Sequence, residues 1–544
     1  MTKKFQHLNL IIGGLFLATL TSLGANKSTL TAQDAPPEWT QDAYNAQRTG
    51  YTPEEPSGNW RLLWTWNGPD ANGGAGGHFY DAPPEARTVT GGSYVYVPAG
   101  SQGLYALNKS DGAEAWNVTD ATFNATPAYD PETGYVYAGG EDGKLYQIDT
   151  ERGTVAATYD AGSPLNKSVL LVGSFAYVVT DDGQLHKVDT DDMTEVWIYE
   201  ANALIATPPA YSATRDVIVY ATNDLYVHAV NNDDGTAKWR VRPTENPAGF
   251  PNEFDGMWPV IAEQHGIVFV RMRLDHNSGL WGGPGKNGTY PDTNEETRAF
   301  LQDNPQLQNL FALDLDSGAE AFIPAVGYGG VESLVDEQPF LDVGPVPVIK
   351  LLPDGTEVAY MVFRNGQSVP PDGRWDSHMG EMVLDDTTVP GLAAGDLRFV
   401  QYPNTTMKIT DEQTPFTMAG DTIFHAHWGA SEGARITNRA DHLGLSFDSP
   451  ITTQKLPTVI RRQAACNDFN PVSHWTTCGL TLFEDGRYWD GPGFWVYWDV
   501  LDPPTPQRGA YSEGILPRYT YVSDGLIIVE GNGGDLFVLK YGGS

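Results

Sequence analysis

The chain has 544 residues, with 69 acidic and 33 basic side chains that give a formal net charge of −36. A surface this acidic repels phosphate backbones and anionic lipid headgroups, which argues against nucleic acid as a partner. We interpret the charge as a source of solubility. The length exceeds what one compact core usually holds, but a repeat protein can absorb it because each unit packs only on its neighbours.

The first residues have the layout of a secretory signal peptide. Two lysines precede an apolar run from Leu10 to Leu23, and small residues follow this run. We therefore expect residues 1–25 to be removed and the protein to be exported to the periplasm or the extracellular space, with residues 26–58 as an extended lead-in. An uncleaved anchor is the alternative, although the run is short for a span of about 20 residues. After cleavage we expect no membrane span.

A sequence pattern occurs four times between Glu85 and Trp239. Each copy has an apolar strand, a turn, a second apolar strand and a polar turn, and a last strand follows. The residues that end the second strand are 41, 40 and 42 positions apart, namely Asn108, Asp149, Asp189 and Asn231. Short alternating strands at this period are typical of β-propeller blades, whereas α-solenoid repeats would show 3.6-residue periodicity.

The polar turns of the repeat carry a second pattern, in which Asp or Asn is followed by Gly and then by Trp. This run resembles the tryptophan-docking repeat of the pyrroloquinoline-quinone (PQQ)-like propeller family, which includes quinoprotein alcohol dehydrogenases and non-enzymatic assembly factors. The segment 42–51, with its Arg-Thr-Gly, is similar to the N-terminal segment of that family. The resemblance implies that the following residues dock neighbouring blades: Trp116, Trp197, Trp239, Gly112, Gly153 and Gly235.

We predict an all-β fold, an eight-bladed β-propeller of four-stranded antiparallel blades, as a single domain over residues 59–544. Prolines beside the first strands mark the blade starts, and seven blades are the alternative. The segment after Tyr519 contains three strands of a blade without the fourth. We therefore expect the strand Trp60–Trp66 to complete that blade and close the ring, which would remove its open edge.

Loop insertions lengthen the second half of the chain, at about residues 276–308, 364–399 and 461–498. Loops that project from a rigid scaffold often carry function, because they can vary without disturbing the core. The candidate ligand-binding residues in this half of the chain are Arg364, Trp375, His378, His425, His427, Trp428 and Arg461.

Two histidines form the best candidate for metal ligation. His425 and His427 would face the same side of a strand, so their imidazoles could share an ion. No third ligand is identifiable, and hydrogen-bonded histidines near the channel are the preferred interpretation.

The chain has two cysteines, Cys466 and Cys478. In an oxidising compartment, two such cysteines predict a disulfide. A pair of buried free thiols is the alternative.

The resemblance leaves two classes of function open. A PQQ-dependent dehydrogenase needs the quinone sandwiched in the ring, a Ca²⁺ held by oxygen ligands and an Asp as general base. Many dehydrogenases of the family also carry an adjacent Cys-Cys pair, and the cytochrome-fused ones carry C-x-x-C-H; neither motif occurs here. No catalytic residue can therefore be assigned, and no cofactor is identified.

We favour a monomeric, non-catalytic binding or scaffold protein whose ligand is a protein, a peptide or a glycan. The alternative is a quinoprotein oxidoreductase, namely a PQQ- and Ca-dependent alcohol or sugar dehydrogenase.

Overall fold

The computed structural model consists almost entirely of β-strands. It describes residues 37–57, 60–66, 68–69, 83, 85–249, 252–274, 291, 293–326, 345–352, 354–363, 377–401, 408–409, 415–427, 430–437, 451–455, 460–462, 480–482, 517–531 and 536–542. The two N-terminal strands are β1 (Tyr51–Thr52) and β2 (Trp60–Trp66).

Blades 1 to 4 are four-stranded antiparallel sheets. Blade 1 contains β3 (Val89–Gly91), β4 (Tyr94–Pro98), β5 (Leu104–Asn108) and β6 (Glu114–Val118), and blade 2 contains β7 (Ala128–Asp130), β8 (Tyr135–Gly139), β9 (Lys144–Asp149) and β10 (Thr154–Asp160). Blade 3 contains β11 (Leu170–Val172), β12 (Phe175–Val179), β13 (Gln184–Asp189) and β14 (Thr194–Glu200), and blade 4 contains β15 (Ala210–Ser212), β16 (Val217–Ala221), β17 (Val227–Asn231) and β18 (Ala237–Val241).

Blades 5 to 8 have the same strand order with longer connections. Blade 5 contains β19 (Val260–Ala262), β20 (Ile267–Arg271), β21 (Leu310–Asp314) and β22 (Glu320–Phe322), and blade 6 contains β23 (Val348–Leu351), β24 (Glu357–Phe363), β25 (Ser377–Met382) and β26 (Leu397–Gln401), with β27 (Lys408–Ile409) beside β25. Blade 7 contains β28 (Thr417–Ala419), β29 (Thr422–His427), β30 (Ala430–Ile436) and β31 (Ile451–Lys455), with β32 (Ile460–Arg462) and β33 (Leu480–Leu482) beside β30. Blade 8 contains β34 (Pro517–Ser523), β35 (Leu526–Gly531), β36 (Leu536–Tyr541) and the N-terminal strand β2.

The ring closes through the N-terminal strand. β2 pairs antiparallel with β36, from Trp60 opposite Tyr541 to Trp66 opposite Leu536. Blades 6 and 7 are joined into one sheet because β26 pairs in parallel with β31. The eight-bladed prediction, with closure by the N-terminal strand, is confirmed.

How deeply a strand is buried depends on its position within the blade. The second strands, such as Tyr94–Pro98 and Phe175–Val179, are buried almost throughout, because both faces of a blade pack against neighbours. The outermost strand of blade 2, Thr154–Asp160, alternates between exposed and covered residues. The first strands of neighbouring blades contact one another from blade 1 to 3 and from blade 4 to 8, so they surround the axis of the ring.

Neighbouring blades are joined by a tryptophan that docks on a glycine of the next blade. In each case the indole Nε1–H donates to a backbone carbonyl, at 2.9–3.0 Å: Trp64 to Lys109, Trp116 to Thr150, Trp197 to Asn232 and Trp239 to Leu315. The ring face covers the turn glycine, where an added Cβ would lie within 3 Å of the indole: Gly112 under Trp64, Gly153 under Trp116, Gly235 under Trp197 and Gly318 under Trp239. Because Trp64 lies on β2, the closing junction uses the same contact.

At the junction between blades 2 and 3, a glutamine amide takes the place of the tryptophan indole. Ala157 pairs with Gln147 at the place where blades 1, 3 and 4 have Trp. The Gln147 Nε2–H donates to the carbonyl of Thr190 at 2.9 Å, which preserves the hydrogen bond across the junction. Met193 takes the place of the turn glycine at a positive φ of 54°.

The helix α1 (Asn294–Asp303) lies in the first predicted insertion, residues 276–308. A capping box between Thr293 and Glu296 begins the helix. Asn294 donates to the carbonyl of Leu397 at 3.0 Å, and Arg298 forms an ion pair with Asp396. The helix is therefore docked on blade 6. Within the second predicted insertion, residues 377–382 and 397–399 belong to strands of that blade.

Candidate functional site

The segment of residues 37–52, here called the inner segment, contacts all eight blades. In blades 1 to 7 the second residue of the first strand donates its backbone N–H to it: Thr90 to Trp39 O (2.8 Å), Tyr129 to Thr40 O (2.7 Å), Leu171 to Gln41 Oε1 (3.1 Å), Tyr211 to Ala46 O (2.8 Å), Ile261 to Gln47 O (3.0 Å), Ile349 to Thr49 O (3.0 Å) and Met418 to Gly50 O (3.0 Å). In blade 8, Asp524 N–H donates to the carbonyl of Pro37 at 3.3 Å. The inner segment thus follows the inside of the ring in blade order.

Tight turns allow the inner segment to follow this small circle. Backbone hydrogen bonds from Tyr44 N–H to Gln41 O (3.0 Å) and from Arg48 N–H to Asn45 O (2.9 Å) close two of them. Ala43, Tyr44 and Arg48 have φ values of 53°, 82° and 55°. Residues other than glycine rarely adopt positive φ values, so the surrounding contacts must hold the strained backbone in place.

Asp42 is the centre of a buried ion cluster at the axis. Its carboxylate oxygens lie 3.4 Å from Arg48 Nη1 and 3.4 Å from Arg87 Nη1, and one of them accepts a hydrogen bond of 2.8 Å from Ser168 Oγ. Arg48 also donates Nε–H to the carbonyl of Pro209 at 2.6 Å. The cluster therefore links the inner segment to blades 1, 3 and 4.

Two aromatic rings enclose the guanidinium of Arg87. Its Cζ lies 4.4 Å from the ring centroid of Trp258, which precedes blade 5, and 5.2 Å from that of Tyr519 in blade 8. Burial raises the pKa of Tyr519 well above its usual value, so this phenol stays neutral. Burial lowers the pKa of Arg48 to about 10, while Asp42 opposes the shift, so that guanidinium remains charged at neutral pH.

Lys167 lies at the rim of the cluster and connects three blades. Its Nζ is 2.8 Å from Glu85 Oε2 and 2.7 Å from Asp255 Oδ1. Glu85 precedes blade 1, Lys167 precedes blade 3 and Asp255 precedes blade 5. Burial opposes the charge on Lys167, but the two carboxylates together raise its pKa, so the ammonium form is favoured.

A small pocket, here called the mouth pocket, lies between Lys167 and the ion cluster. Its lining residues include Asp42, Glu85, Arg87, Lys167, Ser168 and Trp258. The free space for water-sized groups is about 20 Å³, which is room for one water molecule.

Three of these residues occupy one equivalent position of the repeat. Arg87, Ser168 and Trp258 stand two residues before the first strands of blades 1, 3 and 5. Blades 2 and 4 have Thr126 and Pro208 at the same place. Sequence reasoning missed these residues because it took the repeats as structural. One signal in the sequence could have revealed them. Blades 1 and 5 carry a cation and a large aromatic residue at this position, where blades 2 and 4 carry smaller residues.

The candidate residues chosen from the sequence lie elsewhere. His378 on β25 is 5% exposed, and its ring centroid is 5.3 Å from that of Phe399 and 6.3 Å from that of Phe363, so it packs within blade 6. His425 is buried on β29. Backbone pairing places His427 opposite Ala430, which in turn pairs with Arg461.

The remaining residues predicted from the sequence lie away from the mouth pocket or outside the described part of the chain. Of the candidates that the structure describes, none lines the mouth pocket. The following lie outside the described residues: Arg364, Trp375, Trp428, Cys466, Cys478 and the signal peptide, residues 1–25. The disulfide and the signal peptide therefore stay predictions.

Neither a metal cluster nor a membrane helix occurs in the described part of the chain. No group of three or more His, Cys, Asp or Glu side chains there is arranged to hold a metal ion. Within the same residues, no helix has the length and apolarity needed to cross a membrane. A shared ion at His425 and His427 remains a prediction.

Comparison with known proteins supports the repeat assignment. The family model described as outer membrane protein assembly factor BamB matches residues 60–164 and 122–249. A search of curated protein sequences finds no match.

Three solved structures are similar to this chain. Quinohemoprotein alcohol dehydrogenase ADHIIG from Pseudomonas putida HK5 is 12% identical, with a TM-score of 0.50, over 94% of this chain and 81% of that chain. BamB from Moraxella catarrhalis is 12% identical, with a TM-score of 0.44, over 89% of this chain and 100% of that chain. The computationally designed Ika8 protein is 9% identical, with a TM-score of 0.47, over 88% of this chain and 99% of that chain. At such low identity, the likeness to the dehydrogenase shows the fold alone.

Proposed function

We propose that this chain, which folds as a PQQ-like β-propeller and matches the BamB family model over residues 60–249, is an exported, non-catalytic protein that binds a protein, a peptide or a glycan. The observation that carries this proposal is the occupation of the axis. The inner segment bonds to the first strands of the blades, and the side chains of Asp42, Arg48 and Arg87 lie buried and ion-paired inside them. A quinoprotein dehydrogenase would need its cofactor within the ring.

The described residues around the axis do not fit a quinone with Ca²⁺. Calcium takes about six to eight oxygen ligands. Both carboxylate oxygens of Asp42 already have partners, and the carboxylates of Glu85 and Asp255 hold Lys167. The mouth pocket has room for about one water molecule, far less than a tricyclic quinone needs.

The family description supports a protein as the partner, because the matching family model is named for an outer membrane protein assembly factor. The insertions would supply a binding surface at the ends of the blades. The docking of α1 on blade 6 supports this idea, since a fixed helix loses little conformational entropy when a partner binds.

A reconstitution assay tests the proposal against the dehydrogenase alternative. The purified protein is mixed with PQQ and CaCl₂ and passed through a desalting column, and the quinone absorbance and dye reduction with alcohols and aldose sugars are measured. We expect no retained quinone and no turnover. A quinohemoprotein alcohol dehydrogenase treated in parallel shows that the assay works, and dye reduction by this protein would overturn the proposal.

Export and oligomeric state are tested separately. Cell fractionation is expected to find the full-length chain outside the cytoplasm, and a variant without residues 1–25 within it. Light scattering of the purified protein is expected to give the mass of a monomer. Equal cytoplasmic retention of both forms would contradict export.

A further inference from the structure

The mouth pocket is lined by two buried hydrogen-bond donors that have no partner. Among the described residues, nothing accepts from Arg87 Nε–H or from Trp258 Nε1–H. Arg87 is 8% exposed and Trp258 is 5% exposed, so water has little access to either group. A buried donor without a partner is costly, and native proteins leave few of them.

Other unpartnered groups lie near the axis. Within the described part of the chain, Arg48 Nη2, which can only donate, and the hydroxyls of Tyr519 and Thr49, which can donate or accept, have no partner. The acceptors of the cluster are in use, since one oxygen of Asp42 faces Arg87 and the other faces Arg48 and Ser168. The two unpartnered donors that line the pocket, Arg87 Nε and Trp258 Nε1, therefore require a group that accepts hydrogen bonds.

The buried part of the site is positively charged. Arg48 and Arg87 carry two positive charges and Asp42 carries one negative charge, so the buried cluster retains one positive charge, while Lys167 with Glu85 and Asp255 adds one negative charge at the rim. A carboxylate accepts hydrogen bonds on both oxygens and donates none, and it forms charge-assisted bonds with a guanidinium.

We propose that the mouth pocket binds a carboxylate group, with Arg87 and Trp258 as the hydrogen-bond donors and Lys167 at the rim. The free space of about one water molecule takes one oxygen of the carboxylate, so the rest of the ligand lies outside it. The carboxylate comes either from a small organic acid or from an acidic peptide. This inference deepens the proposed binding function by naming the ligand chemistry.

The rim makes the site selective. Glu85 and Asp255 hold Lys167, and a ligand carboxylate must compete with them for its ammonium group. Removing one rim carboxylate should therefore strengthen binding, because both the competition and the repulsion decrease.

Thermal unfolding with added salts tests the site. Sodium formate is titrated against the protein, with sodium chloride at equal ionic strength as the reference, and an acidic and an amidated peptide of the same sequence form the second pair. We expect formate to raise the unfolding temperature in a saturable way while chloride does not. A response to the acidic peptide at lower concentration than to formate would identify a peptide as the source of the carboxylate, and a response to formate alone would identify a small acid.

Two substitutions locate the effect. Trp258→Phe keeps an aromatic ring and removes the unpartnered N–H together with part of the indole volume, so we expect about tenfold weaker formate binding. Trp239→Phe removes an N–H that donates to Leu315 O, so it should lower the unfolding temperature and leave formate binding unchanged. Asp255→Asn should strengthen formate binding about threefold.

Equal responses to formate and chloride would overturn the carboxylate site. An unchanged formate affinity in both single variants, Trp258→Phe and Asp255→Asn, would also overturn it. The two proposals can fail separately. Quinone-dependent turnover would overturn the non-catalytic function even if formate binds, and absence of formate binding would leave the binding function untouched.

Discussion

The junctions of blades 1 to 4 and those of blades 5 to 8 are held together by different chemistry. In the first region, and at the closing junction of blade 8 with blade 1, one contact recurs, in which an indole or amide N–H donates to a carbonyl of the next blade. Between blades 5 and 8 each junction has its own polar contacts. His265 bridges blades 5 and 6, Lys350 bonds to Asp421 between blades 6 and 7, and Thr417 Oγ1 donates to Thr520 O between blades 7 and 8.

This difference separates what a repeat can specify from what it cannot. A docking contact between equivalent positions recurs once in every repeat of the sequence, so it can be inferred from the pattern. A polar contact between positions that are not equivalent in the repeat does not recur and cannot be inferred in this way. The inner segment unites the two regions, because it bonds to blade 1 through Trp39 and to blade 6 through Thr49.

Arg48→Met is expected to have the largest effect, since it should destabilise both regions at once. The side chains of Arg48 and Asp42 are fully buried, so the substitution leaves a carboxylate with one cation fewer. We expect a loss of about 3–5 kcal/mol in the free energy of unfolding, measured in urea. Hydrogen exchange should show lost protection at Thr90 in blade 1 and at Ile349 in blade 6.

A matched arginine provides the control for this experiment. Arg152 pairs with Asp149, but its side chain is 72% exposed. Arg152→Met should therefore leave the free energy of unfolding unchanged within error. If Arg48→Met affected protection in one region only, the inner segment would not couple the two regions.

Gly153→Ala is expected to break one repeated junction. Gly153 has a φ of 64°, and an added Cβ would lie 2.4 Å from the Trp116 side chain. We expect a loss of about 3 kcal/mol from backbone strain and overpacking together. Gly134→Ala isolates the strain, because its φ is 74° and nothing lies within 4 Å of the added Cβ. It should cost about 1 kcal/mol, and equal losses for both variants would refute the docking contact.

The pH dependence of two histidines should distinguish the regions. Hydrogen bonding to Glu357 raises the pKa of His265 despite burial, so its contribution to stability is complete below pH 6.5 and is lost as the pH rises through the folded-state pKa. Burial, together with Arg240, lowers the pKa of His228 to about 4, so its contribution is present above pH 6.5 and is lost as the pH falls towards 4.

His265→Gln should therefore cost about 1–2 kcal/mol at about pH 5.5 and little at about pH 9. His228→Gln should instead make the unfolding free energy less dependent on pH between about 4 and 6.5. Urea unfolding of both variants at several pH values measures this difference. If His265→Gln had the same pH profile as the unsubstituted protein, the bridge of His265 to Glu357 and Asp385 would contribute nothing.

Trp197→Phe is expected to have the smallest effect. A phenyl ring remains to cover Gly235, while the hydrogen bond to Asn232 O and a small part of the indole volume are removed. We expect a loss of about 1 kcal/mol, measured by urea unfolding. A loss as large as that of Gly153→Ala would mean that the indole N–H, rather than the ring, holds the junction.

Much of the fold could be predicted from the sequence, but little of the candidate site. The period between Asn108 and Asn231 indicated the blades, and the three-stranded C-terminal segment indicated closure by Trp60–Trp66. The second-half histidines were chosen because their residue type is often functional, yet His378 packs against Phe363 and Phe399. Residue type alone carries no information about which side chains from distant blades meet.

The sequence by itself determined the number of blades and, for residues 85–239, the strands, their grouping into blades and the tryptophan and glycine positions of the junctions. These features depend on local alternation and on a repeated spacing, which a linear chain records directly. Only the tertiary structure brought together Asp42, Arg87, Lys167 and Trp258. These residues come from the inner segment and from blades 1, 3 and 5, and they meet because closing the ring turns equivalent positions of separate blades towards one axis.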